Sequence, residues 1–126
     1  MTEVAEDVLA FWHPTLNAPL DEHYFQWGHV ARSSSADRQF RMRNQSFLYT
    51  AAGITVSVTE IVAATRSVAA QHYLSTNGST FTAALSIGNL APRGITEILT
   101  LRRVVALDAD IGDGDFQLLA HADEWR

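Results

Sequence analysis

The stretch D-F-Q-L-L-A-H-A-D-E-W-R, residues 115–126, decides the fold because its apolar and polar side chains alternate. One face of the predicted strand is wholly apolar and carries Phe116, Leu118, Ala120 and Ala122. The other face carries Leu119, His121, Asp123 and Trp125. This alternation predicts a β-strand that turns its apolar face to a core. Side chains two residues apart on a strand stand about 7 Å apart, so His121 and Asp123 can flank one small molecule. The alternative is a polar face turned to solvent.

The composition of the chain is that of a globular protein with one domain, residues 1–126. The sequence has 126 residues, of which 47% are hydrophobic and 18% charged, enough apolar residues for a core. No apolar run approaches the roughly 18 residues of a membrane span, so no membrane partner is expected. The acidic N-terminus lacks a signal-peptide pattern and the chain has no cysteine. These features predict a cytoplasmic protein.

The charges argue against several classes of partner and cofactor. The net charge is −5 and there is no basic stripe, which argues against nucleic acid as a partner. Arg38, Arg41 and Arg43 are predicted to form a solvated helix face. The acidic stretch D-A-D-I-G-D-G at residues 108–114 lacks the glycine and glutamate spacing of an EF-hand and is predicted to be a hairpin turn. The sequence has no phosphate-binding glycine loop and no metal-ligand spacing, so it predicts no cofactor and no metal.

Three helices are predicted in the first half of the chain. The first spans residues 3–13, where Val4, Val8, Phe11 and Trp12 have helical spacing, and Pro14 stops it. A short second helix begins at Pro19 and is broken by Gly28. The third runs from a capping sequence at residues 34–37 to about Thr50, and Gly53 ends it. Its predicted apolar stripe is Phe40, Phe47, Leu48 and Ala51.

From residue 54 onward the hydrophobic period changes from helical spacing to two. The alternation predicts strands over residues 54–64, 68–76, 80–87 and 95–107, followed by the final strand. Thr65-Arg66-Ser67 is predicted to be a tight turn. Three helices followed by a meander of strands predict an α+β fold, with the helices packed on one face of a curved antiparallel sheet.

Three local stretches resemble one known superfamily. They are L-N-A with L-D at residues 16–21, V-T-E-I-V-A-A-T-R-S-V-A-A-Q-H-Y at residues 58–73, and D-G-D-F at residues 113–116. The chain resembles the nuclear transport factor 2-like superfamily, particularly its SnoaL-like polyketide cyclase and ketosteroid isomerase branches. The resemblance implies a cystatin-like α+β roll, in which a cone-shaped sheet is closed by the three helices around an apolar pocket.

The resemblance also implies a set of site residues that point into this pocket. Three residues are expected to be catalytic: Asp123, His121 and His29. Eight are expected to bind substrate: Trp12, Tyr24, Trp27, His72, Leu74, Glu97, Leu119 and Trp125. For His72 the alternative is a core imidazole whose hydrogen bonds are satisfied. For Trp12, Tyr24 and Trp27 the alternative is core packing. Glu97 can instead pair with Arg102 or Arg93 on the exterior of the sheet. The alternation leaves open which of Arg102 and Arg103 faces the pocket.

An imidazole beside a carboxylate in an apolar pocket is suited to acid–base chemistry. The predicted function is therefore a cofactor-independent enzyme that acts on a hydrophobic polyketide- or terpenoid-like molecule by cyclisation, isomerisation or epoxide opening. The alternative is a non-catalytic module of the same fold that binds a small ligand or associates with a protein. The strand predicted at residues 95–107 is apolar on both faces over much of its length, which predicts a homodimer through its outer face.

Overall fold

The structure, a computed structural model, describes residues 2–4, 9–21, 24–25, 30–59, 68–107 and 116–126. These residues form eight strands and a single 3-10 turn at Ala69–Gln71, and none of them is α-helical. The predicted α+β roll with three N-terminal helices is therefore wrong. The described chain is a β-sandwich of two sheets, and no helix in it is long and apolar enough to cross a membrane.

Each sheet has four strands. In chain order the strands are β1 (Thr2–Val4), β2 (Leu9–Trp12), β3 (Ser34–Asn44), β4 (Ala51–Thr59), β5 (His72–Ser75), β6 (Ala84–Leu90), β7 (Leu99–Val105) and β8 (Gln117–Trp125). The first sheet has the order β1-β8-β4-β6 and the second the order β2-β3-β7-β5. The pairing of β1 with β8 is parallel, and the other strand pairs are antiparallel. The links from β3 to β4 and from β6 to β7 each cross from one sheet to the other, at the same end of the sandwich.

Strand β3 replaces most of the predicted third helix because its buried residues recur with period two. Phe40, Met42 and Asn44 are fully buried, while the arginines between them point to the other face. Arg41 donates hydrogen bonds from Nε to the carbonyl oxygen of His13 at 2.8 Å and from Nη2 to that of Leu16 at 3.0 Å. These arginines therefore fix the segment after β2, and the predicted solvated helix face is wrong.

Strands β1 and β2 replace the first predicted helix, and an aromatic cluster fills the core beside them. Phe11 of β2 lies 6.3 Å from Phe25 and 6.0 Å from Phe40, measured between ring centroids. Phe25 and Phe40 make an edge-to-face contact at 5.4 Å, the geometry that aromatic pairs favour. Tyr24 and Phe25 lie in a turn, not a helix. Residues 22–23 and 26–29 of the second predicted helix lie outside the described residues.

The second half of the chain follows the predicted strands more closely. Strands β4 to β8 each overlap a predicted strand, with boundaries shifted by a few residues, although residues 69–71 form the 3-10 turn. The apolar face predicted for β8 is confirmed, because Phe116, Leu118, Ala120 and Ala122 are all buried. They belong to one hydrophobic cluster with residues of both sheets. The turns predicted at residues 65–67 and 108–114 lie outside the described residues.

Gly53 forms a β-bulge in β4 and does not end a helix. The register with β6 shifts at this point, and Gly53 lies opposite Asp123 of β8. Its φ of +64° is in the left-handed region, which glycine adopts without steric cost. A methyl group at this position would lie 2.7 Å from Asp123 Oδ2. The Gly53 N–H donates to Asn89 Oδ1 at 3.0 Å.

Candidate functional site

The two residues predicted to be the catalytic pair are neighbours, but they lie on the outer face of β8. His121 Nε2 is 3.6 Å from Asp123 Oδ1, and the two side chains are 58% and 76% exposed. Leu119 and Trp125 on the same face are half-buried. The prediction that His121 and Asp123 point into an apolar pocket is therefore wrong, and the solvent-facing alternative describes them. The water-poor surroundings on which the acid–base mechanism depends are absent around this pair.

His72 is a core imidazole. The residue is 1% exposed, its Nδ1–H donates to the carbonyl oxygen of Val68 at 2.8 Å, and its ring stacks on Phe116 with 3.7 Å between centroids. Burial lowers the pKa of His72 to about 4. The positive charge of Arg103 also lowers this pKa, whereas the hydrogen bond to Val68 raises it. His72 is thus neutral at pH 7. Leu74, two residues on, is also fully buried in the core.

The two adjacent arginines of β7 point to opposite faces. Arg102 faces outward, where its Nε and Nη2 donate to the two carboxylate oxygens of Asp37 at 2.8 and 3.0 Å. Arg103 shares the inner side of β7 with Leu101 and donates from Nε to Gln71 Oε1 at 3.1 Å. Of the two arginines, Arg103 is therefore the one that faces inward. It lies beside His72, its register partner on β5.

Of the aromatic residues predicted near the N-terminus to bind substrate, Trp12 and Tyr24 are described by the structure, and both pack against other parts of the protein. Trp12 is buried beneath the guanidinium of Arg43, which lies 4.6 Å from the indole centroid. The Trp12 indole N–H has no hydrogen-bond acceptor among the described residues. The Tyr24 hydroxyl donates to the carbonyl oxygen of Gln39, and burial raises the pKa of Tyr24 while the charge of Arg38 lowers it. Trp27 and His29, the other two predicted site residues of this region, lie outside the described residues.

Glu97 lines a small cleft at the end of the sandwich where the chain crosses between sheets. The cleft has a volume of about 260 Å³. It is lined by Thr76, Ser86, Ile87, Leu90, Thr96, Glu97 and Leu99. The lining thus combines three hydroxyl-bearing residues, one carboxylate and three apolar residues. We refer to it as the Glu97 cleft; among the predicted site residues that the structure describes, no other lines it.

Three consecutive large apolar side chains are exposed in the loop of residues 45–50. Phe47 is 77% exposed, Leu48 78% and Tyr49 54%. The sequence predicts Phe47 and Leu48 as part of the buried stripe of a helix, and that prediction is wrong. We call Phe47, Leu48 and Tyr49 the apolar tip.

Buried hydrogen bonds hold the apolar tip in place. The amide nitrogen of the fully buried Asn44 donates to the carbonyl oxygens of Tyr49, Leu90 and Ala91 at 2.8, 3.1 and 3.2 Å. Its Oδ1 accepts from the N–H of Ser46 at 3.0 Å. The Ser46 hydroxyl in turn accepts from the backbone N–H groups of residues 48 and 49. The loop therefore has its own polar scaffold.

Arg93 from the neighbouring loop completes this surface. Its guanidinium lies 4.5 Å from the centroid of the Phe47 ring and donates from Nη1 to the carbonyl oxygen of Gln45 at 3.2 Å. The Arg93 N–H donates to the carbonyl oxygen of Ser46 at 2.9 Å. Its φ of +61° is uncommon for a residue other than glycine. A cation thus stands beside the exposed aromatic ring.

Comparison with protein-family models, with curated proteins and with solved structures finds no match to this chain. The described geometry must therefore carry the functional argument alone. In the described ranges, no three histidine or acidic side chains come together as metal ligands. The resemblance to nuclear transport factor 2-like proteins is not tested by these comparisons, although the fold that it implies is contradicted by the strands.

Sequence reasoning missed the residues that build the surface around the apolar tip. Asn44, Ser46 and Arg93 were assigned no site role. One signal was present: Asn44-Gln45-Ser46 follows an alternating run and precedes three large apolar residues. Asparagine and serine side chains bond nearby backbone groups in turns, so this order is typical of a strand end followed by a structured loop.

Proposed function

We propose that this chain is a non-catalytic β-sandwich module that associates with another protein through the apolar tip. The observation that carries the proposal is the exposure of Phe47, Leu48 and Tyr49 on a loop whose backbone is fixed by buried hydrogen bonds. Single exposed apolar residues are ordinary on protein surfaces, but a contiguous apolar patch marks an interaction site. This patch consists of three consecutive residues.

The energetics of the apolar tip favour binding. Complete burial of a phenylalanine or leucine side chain stabilises by about 1.5–3 kcal/mol each, and the exposed tip leaves most of this free energy unused. A loop that is already ordered loses little conformational entropy when it binds. Aromatic residues and arginine are also the types that contribute most to protein interfaces, and Phe47, Tyr49 and Arg93 supply them.

The enzyme hypothesis has less support from the described geometry. A general acid or base must reach its substrate proton in a suitable site, and the His121–Asp123 pair lies on an open strand face. His72 is enclosed by the core and is not among the residues lining the Glu97 cleft. Of the predicted titratable residues in the described ranges, Glu97 alone lines that cleft. We keep a cytoplasmic location as part of the association proposal, and a fluorescent fusion tests it.

A photo-crosslinking amino acid in place of Phe47 tests the proposal in the cells that make the protein. We expect discrete adducts of higher mass, because the tip is in contact with its partner. The matched control places the same amino acid at Leu16, which is also apolar and 60% exposed but stands alone on another loop. Equal labelling from both positions, or no discrete adduct from position 47, would refute association through the apolar tip.

A further inference from the structure

We propose that the partner of the apolar tip is a second copy of this chain, with the tip of each copy seated in the Glu97 cleft of the other. This inference rests on the proposed association function and names its partner. It places the dimer contact at the end of the sandwich and not on the outer face of β7. That face carries Arg102, which is already paired with Asp37, beside the exposed Val104.

The apolar tip and the Glu97 cleft are neighbours on one surface. Leu90 lines the cleft, and its carbonyl oxygen accepts a hydrogen bond from the Asn44 amide. The same amide group donates to the carbonyl oxygen of Tyr49 in the tip. One buried side chain therefore fixes the position of the tip relative to the cleft. A two-fold dimer requires such a surface, in which a projection and its complement lie side by side and each copy supplies both.

The size and lining of the cleft suit a side chain. Pockets for drug-sized molecules typically have volumes of about 300–1,000 Å³. The Glu97 cleft, at about 260 Å³, is smaller. Ile87, Leu90 and Leu99 in its lining offer apolar contacts to a Phe47 or Leu48 side chain. Insertion of one such residue would remove apolar surface from water on both copies.

The charges beside the tip and in the cleft are complementary. Arg93 stands over the Phe47 ring, so it moves with the tip into the partner's cleft. Glu97 lines that cleft, and it takes part in none of the ion pairs between described residues. Two-fold symmetry then gives two Arg93–Glu97 contacts for each dimer. The net charge of −5 also disfavours the other occupant of an apolar tip, an anionic membrane surface.

Charge reversal gives a test with an internal rescue. Arg93→Glu alone places two pairs of carboxylates in contact, and Glu97→Arg alone places two pairs of guanidinium groups in contact. Like charges across an interface weaken binding strongly, so we expect each variant to raise the dimer dissociation constant at least about tenfold. In an equimolar mixture of the two variants, the mixed dimer has an opposite-sign pair at both contacts. Sedimentation equilibrium should therefore show the dimer restored.

The outcomes separate this inference from the association function. A wild-type chain that is monomeric at micromolar concentration, or a mixture without rescue, overturns the second copy as the partner. Melting temperatures of both variants show whether either has lost its fold; if one has, replacing Phe47 and Leu48 by serine must abolish the dimer instead. If the chain is monomeric while position 47 still gives a discrete adduct of another mass, the association function stands with a different partner. Phe47-dependent flotation with phosphatidylcholine vesicles by a monomeric chain would identify a lipid surface and refute the second copy.

Discussion

His72 should make the protein sensitive to mild acid. Its imidazole is 1% exposed, stacks on Phe116 and donates from Nδ1 to Val68. Protonation would place a positive charge in the core, close to Arg103. The perturbation is a change of pH on the wild type and on His72→Gln, whose neutral amide can donate to the same carbonyl group.

The magnitude follows from the two pKa values of His72. The pKa is about 4 in the folded chain and 6.5 in the unfolded chain, so the unfolded state binds the proton more tightly. Stability is therefore fully present above pH 6.5 and is lost as the pH falls from 6.5 through 4. Between pH 7 and pH 5 this one group should remove about 2 kcal/mol from the free energy of unfolding. Well below pH 4 the loss approaches about 3 kcal/mol.

Urea unfolding at several pH values between 7 and 4 measures the effect on both proteins. Exposed carboxyl groups titrate in the same range, so the informative quantity is the difference between the wild type and His72→Gln. We expect the variant to be less stable than the wild type at pH 7, because it loses the stacking contact with Phe116. The difference in free energy of unfolding should shrink to zero or change sign by pH 5, because only the wild type must keep a buried imidazole neutral. Parallel stability curves for the two proteins would refute a buried neutral His72.

Three further substitutions test other parts of the described structure. Gly53→Ala should destabilise the protein by about 1–2 kcal/mol through the left-handed φ alone, and the clash of the new methyl group with Asp123 adds to this cost. Adding Asp123→Ala should relieve the clash but not the cost of the left-handed φ. Unchanged urea midpoints would contradict the bulge. Asn44→Ala leaves the Ser46 N–H and a buried carbonyl oxygen without partners, so it should cost at least about 2 kcal/mol, and an unchanged melting temperature would show that the loop does not need it. Trp12→Phe removes a buried indole N–H that has no described acceptor but also leaves part of the indole volume empty, so it should cost no more than about 2 kcal/mol; a larger loss of stability would contradict the unbonded N–H.

The final strand was predictable because its pattern and its environment agree. Phe116, Leu118, Ala120 and Ala122 make one face of the final strand apolar over residues 116–122, and a sandwich buries one face of such a strand. The positions of His121 and Asp123 relative to each other followed from the same alternation. Their predicted direction was wrong because the resemblance placed this face of the strand inside the pocket of a cone-shaped sheet, whereas here the second sheet covers only the opposite face of β8.

The first half of the chain was mispredicted because helical and strand periods overlap in short apolar sets. Phe40, Phe47 and Leu48 are spaced as a helix stripe, but Met42 and Asn44 extend the period-two alternation from Phe40. The helix interpretation required Phe47 and Leu48 to be buried. A large apolar residue that the fold leaves in water cannot be recognised from its type, because its type is the usual signal for burial.

The position of β8 within its sheet has a consequence for synthesis of the protein. This last described strand lies between β1 and β4, and Thr2 pairs with Gln117. A chain emerging from the ribosome therefore contains β1 and β4 long before the strand that joins them. Contacts between residues so distant in sequence form slowly. Until residues 117–125 are available, β1 and β4 have no common partner strand, so the first sheet can be completed only when translation has passed this strand.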